Sequence, residues 1–159
     1  MVGANKSGEH SDPMKHNWTI AIDTREQRPL EFPDWPCQTV TLTTGDYSII
    51  GFENQIAIER KSLDDWVNSV IQGQDRFKRE LERFREIPFR CIVVEGDLQD
   101  LFAWQYRSDA VPLSVIGLTL AMMIDYQIPV LFCSTRDIAT IVVVSFLKRA
   151  FKRLTKKDE

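Results

Sequence analysis

Histidine is nearly missing from this chain. Of 159 residues only His10 and His16 are histidine, and both precede the first patterned segment. A Ser–His or Cys–His nucleophile, a histidine–metal site and a zinc hydrolase each need an imidazole inside the fold, so those chemistries are excluded. Cysteine is sparse as well. Cys37, Cys91 and Cys133 are odd in number, widely spaced and without a Cys-x-x-Cys pair, which excludes a disulfide framework and a structural zinc site. Each is flanked by strand-like residues and reads as a buried thiol in a reducing cytoplasm. Long apolar runs are lacking: the longest, near 138–147 and 115–124, fall short of a bilayer span, so no membrane partner is expected. Excess positive charge is lacking too. A net charge of −3 argues, on the total alone, weakly against binding a polyanion. For hydrolysis, what remains is mainly carboxylate and lysine chemistry on a hard divalent cation.

The length suits one domain with a self-sufficient core. Met1–Asn17 has almost no apolar periodicity and reads as a mobile tail ahead of a domain over 18–159, with neither a signal peptide nor a membrane segment. Trp18–Asp23 and Thr39–Leu42 read as strands separated by a proline-rich irregular loop. Ser62 caps a helix to Ile71, Gly73 breaks it, and Asp75–Glu86 continues as helix. Phe89–Glu95 is a buried strand, Leu98–Trp104 and Pro112–Tyr126 are helices, Pro129–Cys133 is a last strand and Asp137–Leu154 a long final helix. Later strands alternate with helices, as in a mixed sheet flanked by helices, after an early antiparallel hairpin.

That hairpin carries the chemistry. Asp46–Ile50 and Gln55–Lys61 read as strands joined by the turn Gly51–Asn54. A four-residue loop pairs Ile50 with Gln55, and the same register sets Asp46 opposite Glu59. Period two puts Glu59 and Lys61 on one face, and Ile56, Ile58 and Arg60 on the other. Two acids and a lysine therefore converge. Like charges so placed are unfavourable unless a cation lies between them. A slip of one residue would send Glu59 to the wrong face.

The pattern Gly45-Asp46, a gap, then Glu59-Arg60-Lys61-Ser62-Leu63-Asp64-Asp65 resembles the signature of the XPF-type nuclease family. Ile20-Ala21-Ile22-Asp23-Thr24-Arg25-Glu26 is similar to that family's opening strand. The resemblance implies a restriction-endonuclease-like α/β fold, a central mixed β-sheet flanked by helices, and magnesium- or manganese-dependent cleavage of DNA. It implies metal ligation by Asp46 and Glu59, catalysis by Lys61, further active-site roles for Arg60 and Asp65, and rim positions for Asp23 and Arg25. It also implies a homodimer, to which Ile138, Ile141, Val142, Phe146 and Phe151 of the final helix can contribute. Many members end in a tandem helix-hairpin-helix module for which these 159 residues have no room, so a tethering protein or partner subunit is a further expectation.

Several residues keep two readings. Asp65 at the third position of its helix either joins the site or serves the cap and dipole. Arg60 makes an ion pair or a phosphate contact. Asp23 accepts a second metal or a water, or merely starts a turn. Lys148, Arg149, Lys152, Arg153, Lys156 and Lys157 form two basic rows along the final helix, for DNA backbone or merely for the helix terminus. Arg76–Glu86, of mixed sign, reads as a solvated face. Trp104, Tyr106 and Arg107 read as core or a dimer seam, or as a stack for an unpaired base. Gly96-Asp97 is an N-cap. Three functions stand: a metal-dependent endonuclease acting on branched, flapped or single-strand-containing DNA; a non-catalytic DNA-binding partner of another nuclease; and a nuclease of RNA or single strands. The expected location is the cytoplasm, at the nucleoid in a bacterium or phage, or the nucleus in a eukaryote.

Overall fold

The computed structural model describes residues 16–156. The expected tail therefore lies outside the described residues up to position 15, as does Lys157. Six strands and five helices follow in the order β1 (Ile20–Asp23), β2 (Cys37–Val40), β3 (Tyr47–Ile49), β4 (Ile56–Ser62), α1 (Leu63–Ile71), α2 (Gln74–Arg85), β5 (Phe89–Glu95), α3 (Leu98–Phe102), α4 (Pro112–Tyr126), β6 (Val130–Cys133) and α5 (Arg136–Thr155). The strands form one mixed sheet in the order β2-β1-β3-β4-β5-β6. β3 is antiparallel to both β1 and β4, whereas β1–β2, β4–β5 and β5–β6 are parallel.

Alternation along the central strands divides the core in two. Ala57, Ile92 and Val94 point to the side covered by α1 to α4, against Trp66, Phe77, Leu81 and Met122. Ile56, Ile58, Cys91 and Val93 point to the other side, where Ala139, Val143 and Leu147 of α5 close over them. Among the described residues no helix is long and apolar enough to cross a membrane.

Three expectations are corrected. β2 starts and ends two residues earlier than its apolar pattern suggests; it ends at Val40 because Leu42 leaves the strand to donate its N–H to Asp23 Oδ1 at 2.8 Å. Cys37 is exposed, not buried, since β2 is an edge strand; Cys91 and Cys133 are buried. α3 stops at Phe102, and Trp104 beyond it takes φ 58°.

Candidate active site

β4 changes character along its length. Ile56, Ala57 and Ile58 are buried, then Glu59, Arg60 and Lys61 emerge where the sheet's cover ends. Tyr47 pairs with Ile58, the register that faces Asp46 towards Glu59. The ladder then gives way to side-chain bonding. Asp46 N–H donates to Ile58 O at 2.8 Å, and Arg60 N–H donates to Asp46 Oδ2 at 2.8 Å. The carboxylate is thereby held by the backbone of the strand that carries Glu59 and Lys61. Gly45 makes this approach possible. Its φ is +80°, and a Cβ there would lie 3.1 Å from Ile58 O and 3.2 Å from Ala57 Cβ.

Asp46, Glu59 and Lys61 share a cleft of about 290 Å³ with Asp23 and Arg25 on one wall and α2 on the other. Lys61 Nζ is 3.6 Å from Glu59 Oε1 and 5.9 Å from the Phe77 ring centroid. Burial is the main cause raising both carboxyl pKa values above the ordinary range. The neighbouring Asp46 charge raises Glu59 further, and the Glu26 charge raises Asp46, against the opposing Arg60 N–H. Two half-buried acids that repel each other are a donor set suited to a hard cation. Among the described residues no three acidic, cysteine or histidine side chains gather as a metal cage. A two-carboxylate site fits magnesium, which keeps several of its waters.

The other expected residues are differently placed. Asp23 lines the cleft, but both its oxygens are engaged: Oδ1 accepts Leu42 N–H, and Oδ2 accepts Arg25 Nε–H at 2.8 Å and, at 3.3 Å, Arg25 N–H. Burial pushes its pKa up, yet these bonds together bring it below the usual value. Arg25 projects from the rim, its side chain 67 % exposed. Asp65 is exposed at the start of α1, where its N–H donates to the Ser62 hydroxyl; it borders a shallow hollow adjoining Lys61. Arg60 turns to the opposite sheet face, where Glu26 and Glu95 take its guanidinium. Lys148, Arg149, Lys152 and Arg153 are exposed on α5, which covers that opposite face, and do not line the cleft. Asp97 caps α3 with a reciprocal capping box. Missed in the sequence were Arg76, Glu80 and Arg83, which α2 brings to the cleft.

The proximity of Glu59 to Asp46 has a measurable cost. An acid whose folded pKa is raised loses stability for the fold as pH rises above its unfolded value. Glu59→Gln should therefore raise the melting temperature in EDTA at pH 8 by about 2–6 °C, for about 1–2 kcal/mol of relieved repulsion and desolvation. Near pH 4, where both forms are neutral, the gain should vanish. Differential scanning calorimetry at the two pH values decides it; a gain equal at both would assign the effect to packing.

The architecture and the paired carboxylates beside a lysine define a restriction-endonuclease-like domain. A sequence model described as the ERCC4 domain matches residues 22–146, and the chain belongs to that family. It is 35 % identical over 92 residues to the 3′-flap repair endonuclease Xpf of Saccharolobus solfataricus, covering 57 % of this chain and 36 % of that protein. It is 26 % identical over 97 residues to a putative ATP-dependent RNA helicase of Methanocaldococcus jannaschii, covering 61 % of this chain and 11 % of that protein. The chain thus spans about a third of the first relative's length and about a tenth of the second's. Among solved structures, XPF from Aeropyrum pernix shares the fold with a TM-score of 0.68 at 24 % identity, covering 86 % of this chain and 67 % of that one. Its complex with DNA gives 0.68 at 23 % identity, covering 88 % and 68 %.

Proposed function

We propose that the chain is a divalent-cation-dependent endonuclease that hydrolyses phosphodiester bonds in branched, flapped or single-strand-containing DNA. The convergence of Asp46, Glu59 and Lys61 in one cleft carries the reading. The flap endonuclease named among its relatives supports the substrate class. Asp46 and Glu59 would hold magnesium or manganese, which when bound polarises a phosphate oxygen and makes water more acidic. Lys61 positions water and offsets negative charge growing on the phosphate. Arg25, Arg76 and Arg83, on the two cleft walls, face neighbouring phosphates.

The test is cleavage of labelled duplex, single-stranded, flap, fork and four-way-junction DNA, with a single-stranded RNA of the same sequence. Magnesium, manganese and EDTA arms run beside Asp46→Asn. Cation-dependent cutting of the branched DNA, lost in the variant, is the expected result. Preferential cutting of RNA would move the reading to a ribonuclease. No cutting by the folded wild type would make the chain a DNA-binding partner of another nuclease.

The same reading includes a homodimer. Leu113, Leu120 and Ile124 lie on one stripe of α4 and are 70, 50 and 68 % exposed; on α5, Ile138 and Ile141 are 41 and 64 % exposed. Val142, Phe146 and Phe151 pack instead against the core beneath α5. Ile124→Glu with Ile141→Glu should leave the melting temperature near wild type and convert a dimer to a monomer in sedimentation analysis. An unchanged sedimentation coefficient would remove these two faces from the seam.

A further inference from the structure

α3 ends in a Schellman turn. Trp104 N–H donates to Leu101 O at 3.2 Å and Gln105 N–H to Asp100 O at 2.9 Å. The residue that must be left-handed in such a turn is ordinarily glycine, because a Cβ is penalised there. Here it is a tryptophan with φ 58°. Core burial does not explain the choice, since Trp104 is 49 % exposed. Strained residues persist where the surroundings over-determine them, and they cluster where a ligand is bound.

The surroundings do over-determine this one. The Trp104 and Tyr106 rings lie nearly parallel, at 22° with centroids 6.1 Å apart. Tyr106 is itself fixed by donating its hydroxyl to Ala110 O at 2.6 Å. The next residue, Arg107, is pinned through its backbone, whose N–H donates to Asp64 Oδ1 at 2.7 Å. Its guanidinium, 4.0 Å from Asp64 Oδ2, is 96 % exposed. Asp64 belongs to the first turn of α1, three residues after Lys61. A rigid aromatic face and an exposed cation, only loosely paired with Asp64, are thus tethered to the helix that begins where the catalytic strand ends.

We infer that Trp104 and Arg107 form a platform on which an unpaired nucleobase of the substrate stacks, with Arg107 beside its phosphate. A single-stranded nucleotide offers this pair of features together, a flat π face and one negative charge, whereas the bases of a duplex are stacked on each other. The site would let the domain recognise the unpaired arm of a branched substrate from within its own fold. The inference rests on the endonuclease reading for its choice of ligand.

Binding is measured in the Asp46→Asn background by the anisotropy of a dye-labelled short oligodeoxythymidylate or blunt duplex of equal length, with tryptophan quenching followed alongside. Trp104→Gly is expected to weaken the oligothymidylate about tenfold and the duplex less than about twofold, the scale of one lost stack. Trp104→Phe should restore affinity but lose most of the quenching on binding. Glycine suits the left-handed turn, so Trp104→Gly should melt no lower than its background. Equal oligothymidylate affinity in Trp104→Gly would overturn the inference. So would a dimer that becomes monomeric in Trp104→Gly with binding unchanged, which assigns the ring to a second copy. A melting temperature lowered by more than about 5 °C would make the ring structural. Cleavage by the wild type is scored separately. A failed platform with cleavage intact sinks this inference alone, and absent cleavage with quenching intact sinks the nuclease reading alone.

Discussion

Asp46→Asn should lower the cleavage rate about a thousandfold while leaving the fold and DNA affinity close to wild type. The magnitude follows from the proposed role of Asp46: one of the two carboxylates that would hold the cation is lost, on the scale of a deleted oxyanion donor or more. Asparagine is the informative substitution because Asp46 Oδ2 accepts the Arg60 N–H at 2.8 Å. An amide oxygen can keep that bond. Alanine would leave the backbone donor without its partner, at about 1–3 kcal/mol, and confuse catalysis with stability. DNA binding should hold or tighten, since a negative charge facing the phosphate is gone. Lys61→Met should behave differently. It loses comparable rate but also weakens binding, because a cation has left the cleft wall. Single-turnover rates beside equilibrium binding separate the two signatures. An Asp46→Asn rate within tenfold of wild type would show that this carboxylate does not serve the reacting phosphate.

The hairpin was legible because its determinants are local. A four-residue loop and period two fix which residues oppose, and Tyr47 does pair with Ile58 in the expected register. Glu59 and Lys61 part from Ile56, Ile58 and Arg60 as alternation requires. The limits of β5 and α4 match their apolar runs for the same reason. The far wall of the cleft was not legible. Arg76, Glu80 and Arg83 each precede a buried residue of α2, Phe77, Leu81 and Phe84. They therefore lie about 100° round the helix from its buried stripe. Such a flank faces solvent or a neighbour according to where the helix docks, and mixed charge suits both. The position of the C-terminal basic rows was not legible either. Their spacing reports one helix face, but only the placement of α5 on the far side of the sheet shows that it looks away from the cleft.

Glu26→Ala should cost about 3–5 kcal/mol and lower the melting temperature by roughly 6–15 °C. Glu26 lies beyond β1, 34 residues from Arg60, and nothing in their spacing announces the pair. Glu26 Oε1 takes Arg60 NH2 at 2.7 Å and Oε2 takes Arg60 Nε at 2.9 Å. The two side chains are only 8 and 12 % exposed. Glu95 takes the remaining arm of the guanidinium at 2.9 Å and also Arg136 at 3.1 Å, while the Tyr47 hydroxyl donates to Glu26 Oε2 at 3.1 Å. Removing Glu26 would leave two donors of a buried guanidinium and the Tyr47 hydroxyl without their acceptor, with Glu95 alone on the remaining arm, the costly case for a buried ion pair. The consequence reaches the cleft through the backbone, since the same Arg60 presents its N–H to Asp46. At a temperature where the variant is still folded, cleavage should fall by about tenfold or less, well short of the Asp46→Asn loss. Glu26→Gln, which keeps acceptor and shape, should recover part of both. An Arg60 that contacts the phosphate instead would give the opposite ranking. Arg60→Lys would then lose rate about as severely as Asp46→Asn, with little change in melting temperature, and a Tm series beside single-turnover rates distinguishes the two.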